Sequence, residues 1–445
     1  MTLAFRPDEA SPLVDALFAD LGVAPERAID SRDEILAFFA AGHQGDRERA
    51  LFDYFRSGAS IADSLGQILR WRFGDPGRIG ALLDFASGYG RVTRFLVREI
   101  PPPRLWVADV YADGVAFQQE RFGVHSVIST LRPEDFSLDR RFDAILVTSL
   151  FTHLPEERFT GWLRVLYRLL NPGGLLVFSA HSPDLLLPGM ETSAEGFRFE
   201  ATSESGSLDT SDYGSAWVTE EFVRGALEQA AGLGGVSLLP IERGLCNYQD
   251  LYLAVPEPGV DFSSLGFHGE PELFLERYEL AADGRLDLKG WAVVRSGELH
   301  EIEIVLDGER LAAAPVDEPR PEVAELLGGD RYLRSGWLCS CRLPPRVSYS
   351  SSVLLLRVVD ARGVGHPLWA GSIEALQLLA WRNHAAWLRR KLKHVEAVLG
   401  EERARTAVEA GALQARIAAM EASRFWKLRT AWFRLKQRLG LAGDD

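Results

Sequence analysis

The chain has 445 residues, enough for about two or three domains, and 47% of them are hydrophobic, enough to build ordinary buried cores. Its formal net charge of −14 excludes a protein held on nucleic acid mainly by phosphate contacts. The three cysteines are too few for a disulfide framework or a thiolate zinc site, and the nine histidines show no zinc-ligand spacing. No signal peptide or bilayer-spanning apolar run is visible, so we expect a cytoplasmic protein.

Residues 1–79 predict an N-terminal helical cap, because helical patterns alternate there with turn residues. The run "SPLVDALFADLG" starts with a Ser-Pro helix signal and ends at Gly22. The run "RERALFDYFRSG" repeats the pattern and is predicted to end at Gly58.

Residues 80–256 alternate apolar strand-like runs with amphipathic helix-like runs. This alternation predicts an α/β fold with a mostly parallel sheet covered on both faces. The strand-like runs are "GALLDF", "RLWVADV", "HSVIST", "FDAILVTSL", "GGLLVFSA" and "DLYLAVP".

The first of these strands exits into "DFASGYGRVTR", residues 84–94, a pattern that suits a nucleotide-type cofactor. Gly88 and Gly90 would let a ligand approach the backbone of the turn closely. Asp84 ends this strand and Asp109 ends the next, where an acid can bind both ribose hydroxyls. The third glycine of a dinucleotide motif is replaced by Thr93, which favours a cofactor without a pyrophosphate.

These motifs together resemble class I S-adenosylmethionine (SAM) dependent methyltransferases. "LLDFASGYGRVTRFL" resembles their motif I, "VADVY" their second motif, "FDAILVTSLFTHL" their fourth strand and its exit, and "LNPGGLLVFSAH" their fifth strand. "NYQDLYLAVP" resembles their last, antiparallel strand, and the upstream "YFRSGASIADSL" resembles the helix that caps the cofactor in some members. The resemblance implies a Rossmann-like sheet of seven strands and SAM as cofactor.

The resemblance also implies roles for particular residues. Asp84 would accept hydrogen bonds from the amino-acid end of SAM, and Asp109 would bind the ribose with Val110 against the adenine. The remaining positions around the cofactor would be Ala86, Gly88, Gly90, Ser149 and Leu150. Ala86 replaces the first glycine of motif I, and we expect alanine to fit there in a turn that is not left-handed.

Two histidines follow strand ends on the expected active face, namely His153 in "FTHL" and His181 in "FSAHSP". Either is a candidate general base for a hydroxyl acceptor, and either is alternatively a structural histidine. Residues 182–218 form a long excursion that predicts an acceptor lid with Tyr213 and Trp217 as wall residues, the alternative being a disordered Ser-rich loop.

Residues 273–372 show short strands and turns without a convincing helix, which predicts a β-sandwich domain. The "LDGE" and "DARG" turns fit hairpins. "GWAV", "RPEVAELL" and "SGW" resemble β-sandwich modules attached to glycosyltransferases and other glycan-handling enzymes. Trp291 and Trp337 would either stack on sugar or pack in the core, and packing in the core is the more common role of a tryptophan.

Residues 373–445 predict a helical tail without proline. Leu388, Leu392, Val395 and Leu399 form a heptad seam that predicts a coiled-coil or dimer contact. The last helix, "EASRFWKLRTAWFRLKQRLG", is basic and aromatic, so it would lie at an anionic membrane, dock on a partner or pack on its own chain.

The sequence therefore predicts SAM-dependent methyl transfer to a hydroxyl or similar nucleophile, on a glycan or glycolipid precursor. A non-catalytic SAM-fold scaffold in glycan assembly and an NAD(P)-dependent oxidoreductase remain alternatives. The predicted partners are a small-molecule or glycan acceptor and, through 373–445, a second copy or the inner membrane face, with no nucleic acid and no metal.

Overall fold

The computed structural model describes residues 5–6, 9–187, 189–203 and 208–439. Parts of three predicted regions lie outside the described residues: 1–4 and 7–8 of the helical cap, 188 and 204–207 of the predicted lid, and 440–445 of the tail. The chain forms two compact units, Met1–Asn383 and His384–Asp445.

Three helices open the chain: α1 (Pro12–Asp20), α2 (Glu34–Gly42) and α3 (Arg47–Phe73). Each begins at a side-chain cap, because Ser11, Asp33 and Asp46 accept hydrogen bonds from backbone N–H groups of the first turn. The prediction that α3 ends at Gly58 is wrong. Gly58 is instead a point of close approach, since a Cβ there would lie 2.3 Å from the carbonyl oxygen of Arg91.

The following region carries the main sheet and its helices. Its elements are β1 (Leu82–Phe85), α4 (Thr93–Leu96), β2 (Leu105–Asp109), α5 (Ala112–Phe122), β3 (His125–Ile128), β4 (Phe142–Val147), α6 (Glu156–Arg168), β5 (Leu170–Ala180), β6 (Phe197–Glu200), β7 (Ser215–Val218), α7 (Glu220–Ala231), β8 (Ser237–Leu245) and β9 (Gln249–Val255).

Seven strands form the main sheet in the order β3-β2-β1-β4-β5-β9-β8. The first five pair in parallel, and β9 pairs antiparallel with both β5 and β8. Alternate residues of β1 and β4 enter two separate cores, so the sheet is covered on both faces. This arrangement confirms the predicted Rossmann-like α/β fold with an antiparallel last strand.

Strand β8 was not among the strand-like runs of the sequence. It is an edge strand, it contains Pro240, and its register with β9 shifts between Ile241 and Leu245. Proline and register irregularities are typical of edge strands and break the apolar alternation that identifies central ones.

Two antiparallel sheets follow. Their elements are β10 (Glu272–Leu280), β11 (Arg285–Val293), β12 (Leu299–Leu306), β13 (Glu309–Pro315), α8 (Pro321–Leu327), β14 (Gly336–Arg342), β15 (Leu354–Asp360) and β16 (Gly365–Gly371). The sheets, β10-β11-β14 and β13-β12-β15-β16, contribute to one shared core, which confirms a β-sandwich. The expectation of no helix here is wrong, because Pro321 starts α8 at its first position.

Details of the sandwich agree with its sequence. The "LDGE" hairpin joins β12 to β13 through Asp307 and Gly308, both with positive φ, as a tight two-residue turn requires. Trp291 and Trp337 are fully buried, so both are core residues and neither offers a sugar-stacking surface.

The tail consists of α9 (Ala375–Ala422) and α10 (Arg424–Arg438), separated at Ser423, whose side chain caps α10. The seam residues Leu388, Leu392, Val395 and Leu399 are all exposed. Among the described residues, none of the helices combines the length and the apolar character that crossing a bilayer would need.

Candidate functional site

A cavity of about 340 Å³ lies where β1, β2 and β4 end, within the usual range of about 300–1,000 Å³ for small-molecule sites. Strand β1 lies between β2 and β4, and it is here that the order of parallel strands along the chain reverses. Ligands of open α/β sheets bind at such switch points, outside the carboxyl ends of the strands. Residues of the turns after β1, β2, β3 and β4 all line this cavity.

Asp109 faces the cavity at the end of β2 and is held by backbone groups. Its Oδ2 accepts a hydrogen bond of 2.7 Å from the Gly88 N–H, and its Oδ1 accepts one of 3.0 Å from the Tyr111 N–H. Burial raises the pKa of the Asp109 carboxyl, against the effect of these donors. A carboxylate has about four acceptor sites, so Asp109 keeps capacity to accept from a ligand hydroxyl beyond these backbone donors.

Gly88 contributes an open cradle beside Asp109. Its φ is 57°, in the left-handed region that favours glycine, and no atom lies within 4 Å of the position a Cβ would take. The space next to its backbone is therefore open for a ligand.

Asp84 is buried at the end of β1 and also lines the cavity. The Thr93 hydroxyl donates a hydrogen bond of 2.8 Å to its Oδ2. Burial is the main cause that raises the pKa of Asp84 to about 7, and the neighbouring Asp109 carboxylate adds to it. Thr93, which stands in place of a dinucleotide-type glycine, thus orients Asp84.

Ala86 and Gly90 differ from their expected conformations or contacts. Ala86 has a φ of 59°, so the expectation of a turn that is not left-handed is wrong, and the site carries backbone strain of about 1–2 kcal/mol. Gly90 is not among the described residues that line the cavity. A Cβ on Gly90 would lie 2.4 Å from the Phe122 ring, so its glycine is explained by packing.

Ser149 and Leu150 line the cavity at the exit of β4, as Val110 does at the exit of β2. Ser149 also has a positive φ, 63°, and its N–H donates a hydrogen bond of 2.8 Å to the Ser179 hydroxyl. Gln249 Nε2 donates to the Ser149 hydroxyl at 3.0 Å. Bonds to β5 and β9 therefore hold this turn in a strained conformation.

His153 lines the cavity beyond Ser149, and its protonation is fixed by one hydrogen bond. Its Nδ1 lies 2.7 Å from the carbonyl oxygen of Gly214. A carbonyl only accepts, so Nδ1 carries the proton and Nε2 carries the lone pair in the neutral ring. Burial lowers the pKa of His153, which keeps the ring neutral at pH 7.

Part of the predicted lid is ordered as the antiparallel pair β6–β7. Main-chain bonds hold this hairpin next to β4, since the N–H groups of Gly214 and Ala216 donate to the carbonyls of His153 and Thr152, both at 2.8 Å. Arg158 pairs with Asp212 at 2.6 Å. The hairpin places Leu208, Asp209, Asp212 and Tyr213 in the cavity wall, with the Tyr213 ring stacked 4.4 Å from His153.

His181 and Trp217 are not among the described residues that line the cavity. The His181 ring is buried 6.5 Å from the His153 ring and 6.1 Å from Trp217, in a layer behind His153. Burial, followed by the repulsion that a protonated His153 would exert, lowers the pKa of His181 to about 4. The structure therefore brings only His153 and Tyr213 of these four predicted residues to the cavity.

Sequence reasoning missed several polar residues of the cavity wall, among them Asp33, Arg91 and Arg158. Asp33 caps α2 and accepts a hydrogen bond of 2.6 Å from the buried Tyr54 hydroxyl, while Arg91 donates one of 2.9 Å to the Ser57 hydroxyl. The predicted cap "YFRSGASIADSL" lies in α3, outside the described wall, and the first turn of α2 lines the cavity instead. An N-cap aspartate before "EILAFF" was the available signal.

Comparison with known proteins gives a family for this part of the chain. Residues 83–176 match the family model described as a methyltransferase domain. No curated protein sequence matches the chain.

Several solved structures are similar to it. The sugar N-methyltransferase KedS8 from Streptoalloteichus sp ATCC 53650 is 19% identical, covering 52% of this chain and 95% of that one, with a TM-score of 0.36. DesVI from Streptomyces venezuelae is 18% identical, covering 51% and 99%, with a TM-score of 0.34. CalS10, an amino pentose methyltransferase from Micromonospora echinaspora, is 18% identical, covering 44% and 91%, with a TM-score of 0.32.

The matched residues contain the ends of β1, β2 and β4 that build the cavity. This region is a methyltransferase domain. The matched part of the chain carries a methyltransferase domain that uses SAM, which argues against the NAD(P)-dependent oxidoreductase alternative.

The residues present fit SAM. Asp109 offers a carboxylate acceptor for ribose hydroxyls, Gly88 leaves the adjoining backbone open, and Asp84 offers an acceptor for an ammonium. Arg91 lines the same cavity and supplies a cation suited to a carboxylate.

Proposed function

We propose that this enzyme methylates a hydroxyl or similar nucleophile on a glycan or glycolipid precursor, with His153 as the general base. The observation that supports this proposal is that one cavity is lined both by Asp84, Gly88 and Asp109 and by His153 and Tyr213. Because β2 and β4 lie on opposite sides of β1, cofactor and acceptor would meet at the end of β1.

On the cofactor side, Asp109 would accept hydrogen bonds from both ribose hydroxyls, and Val110 would pack against the adenine. Asp84 would accept from the ammonium of the amino-acid end, with Thr93 holding its carboxylate in place. Arg91 would pair with the carboxylate of that end. Ser149 and Leu150 would bound the space where the methyl group is presented. When bound, SAM supplies an electrophilic methyl group on its sulfonium.

On the acceptor side, His153 Nε2 would receive the proton of the acceptor hydroxyl as its oxygen becomes the nucleophile. The Gly214 carbonyl stabilises the resulting imidazolium through the Nδ1–H bond, as a carboxylate or carbonyl partner does in other histidine bases. Burial of His153 keeps the ring neutral before the reaction, so that it is ready to accept. The stacked Tyr213 ring fixes the plane of the imidazole.

His181 is better explained as a structural residue than as a second base. Its pKa is lowered to about 4 and its ring is buried behind His153. A neutral, buried ring at this position packs against His153 and the hairpin without adding a second charge beside the base.

The acceptor class rests on the resemblance of residues 273–372 to modules of glycan-handling enzymes and on the polar wall of the hairpin. Asp209, Asp212 and Arg158 provide acceptors and a donor that suit sugar hydroxyls or an amino sugar. The domain limits 1–79, 80–256, 273–372 and 373–445 remain our proposal for how the functions are divided along the chain.

The test is product formation. The protein should be incubated with SAM and a panel of sugar nucleotides, amino sugars and glycolipid precursors, and products should be analysed by mass spectrometry for the gain of one methyl group. Methylation of a member of the panel, lost in His153→Ala, would support the proposal. Tight binding of SAM without methylation of any glycan acceptor would favour the scaffold alternative.

A further inference from the structure

Helix α10 has two features that the methyltransferase activity does not use. Between Arg424 and Arg438 it carries six basic residues and no acidic residue, although the chain as a whole has a net charge of −14. It also exposes large apolar side chains with relative accessibilities between 48% and 77%: Phe425, Leu428, Trp432, Phe433, Leu435 and Leu439.

The two features occupy adjoining faces of one helix. At 3.6 residues per turn, five of these side chains, all except Phe433, fall in a single narrow stripe, which we call the apolar stripe. Arg424, Lys427 and Arg438 lie on one side of the apolar stripe and Arg429 and Lys436 on the other, while Arg434 lies as far round the helix from the stripe as Trp426. On a membrane surface, the apolar side chains would enter the boundary between headgroups and acyl chains, and the cations beside them would contact the lipid headgroups.

A second copy of the same helix is a poor occupant of the apolar stripe. The apolar residues step by three and four, as in a coiled coil, but the flanking positions of a coiled coil would then be Arg424, Arg429, Lys436 and Arg438. In a homodimer of either orientation these flanks would bring like charges together, which destabilises the pair.

We propose that α10 lies on a membrane surface that contains anionic lipid, with the apolar stripe inserted at the headgroup boundary. The helix has 15 residues, too short and too charged to span a bilayer, so it would lie parallel to the surface. An anionic lipid layer attracts the cations on both sides of the apolar stripe at the same time. The aromatic side chains also favour the membrane interface. The enzyme would thereby work next to membrane-held acceptors.

The test is co-sedimentation of the full-length protein with vesicles of phosphatidylcholine containing phosphatidylglycerol, compared with phosphatidylcholine alone. At low salt we expect binding to the anionic vesicles that falls steeply as ionic strength rises, because screening weakens each surface charge. Binding to neutral vesicles should be much weaker.

Two matched pairs of full-length variants locate the contact. Trp432→Ala should weaken binding about tenfold because Trp432 lies on the apolar stripe, whereas Trp426→Ala, on the opposite face of the same helix, should bind like the wild type. Arg424→Gln with Arg429→Gln, one cation from each side of the apolar stripe, should weaken binding by about 25-fold, roughly fivefold per charge. Arg403→Gln with Arg405→Gln in α9 is the control with the same loss of charge. Circular dichroism checks that helix content is unchanged.

Salt-sensitive binding that is lost in the α10 variants and kept in both controls would support the proposal. Failure of the full-length protein to bind anionic vesicles at low salt would overturn it, as would binding that Trp432→Ala leaves intact. If vesicles are ignored and Trp432→Ala instead changes the assembly state seen by light scattering, α10 is a protein-docking helix and the membrane proposal is wrong.

Discussion

The carboxylate side of the cavity and the histidine side differ in how far apart along the chain their parts lie. On the carboxylate side, Thr93 orients Asp84 and Gly88 orients Asp109, all within one strand–turn–helix–strand stretch. On the histidine side, the partner of His153 is Gly214, 61 residues further along the chain. The two carboxylates are therefore positioned by neighbouring strands and their turns, whereas the position of His153 also depends on the docked hairpin.

The largest expected effect is on the carboxylate side. Asp109→Ala removes two hydrogen bonds to a charged acceptor, each worth about 1.5–3 kcal/mol, so the affinity for SAM should fall by well over tenfold. Isothermal titration calorimetry measures this. Asp113→Ala is the matched control, because Asp113 is an exposed acid on α5 that pairs with Arg32. An affinity unchanged in Asp109→Ala would remove Asp109 from the ribose site.

The corresponding change on the histidine side should affect turnover and leave cofactor binding intact. His153→Ala should lower kcat about 100-fold, a typical contribution of a general base, with an unchanged Kd for SAM. His300→Ala, an exposed histidine of the sandwich, is the control. The wild-type rate should fall as the pH drops through the lowered pKa of His153, since protonation removes the lone pair. Normal kcat in His153→Ala would show that another group, or none, is the base.

The two sides of the cavity also differ in how well their residues could be predicted from the sequence. Asp84, Gly88 and Asp109 could be predicted because their environment is built by a strand and the turn that follows it, at short separation. His153 was only one of two histidine candidates, because the contact that separates it from His181 comes from the hairpin. No local sequence pattern predicts the hydrogen bond between His153 and the carbonyl oxygen of Gly214.

The fold shows the same division. The central strands were predicted from their apolar runs, whereas β8 was missed because an edge strand with a proline lacks that pattern. The end of α3 was misplaced at Gly58 because a glycine that stops a helix and a glycine that lets two elements approach look identical in sequence. The left-handed Ala86 could not be foreseen either, since only the bonds around the turn make that strain tolerable.

A smaller effect should follow the ionisation of Asp84. Its pKa of about 7 means that the carboxyl loses its charge as the pH falls below neutrality, and a ligand ammonium binds the charged form. The affinity for S-adenosylhomocysteine should therefore fall between pH 8 and pH 6, by up to about tenfold per pH unit below the pKa. Asp84→Asn should bind more weakly at pH 8 and lose this pH dependence. A wild-type affinity that is flat over this range would contradict the role of Asp84.

The smallest effect should come from the hairpin. Arg158→Gln removes the ion pair between Arg158 and Asp212. Because both side chains are partly exposed, this ion pair contributes only about 1 kcal/mol. We expect a several-fold rise in the acceptor KM with an unchanged Kd for SAM, measured by initial rates at saturating SAM. Arg224→Gln, which removes an exposed pair with Glu220 on α7, is the control. Weakened SAM binding in Arg158→Gln would show that the two sides are not independent.

In the proposed function, one cavity binds the cofactor at Asp109 and activates the acceptor at His153. Calorimetric titration of S-adenosylhomocysteine into the wild type, Asp109→Ala and His153→Ala tests it most directly, because it measures the cofactor site without requiring the acceptor. We expect one binding site per chain in the wild type, a loss of affinity of well over tenfold in Asp109→Ala, and an unchanged affinity in His153→Ala. No binding to the wild type, or equal affinities in the wild type and Asp109→Ala, would contradict it.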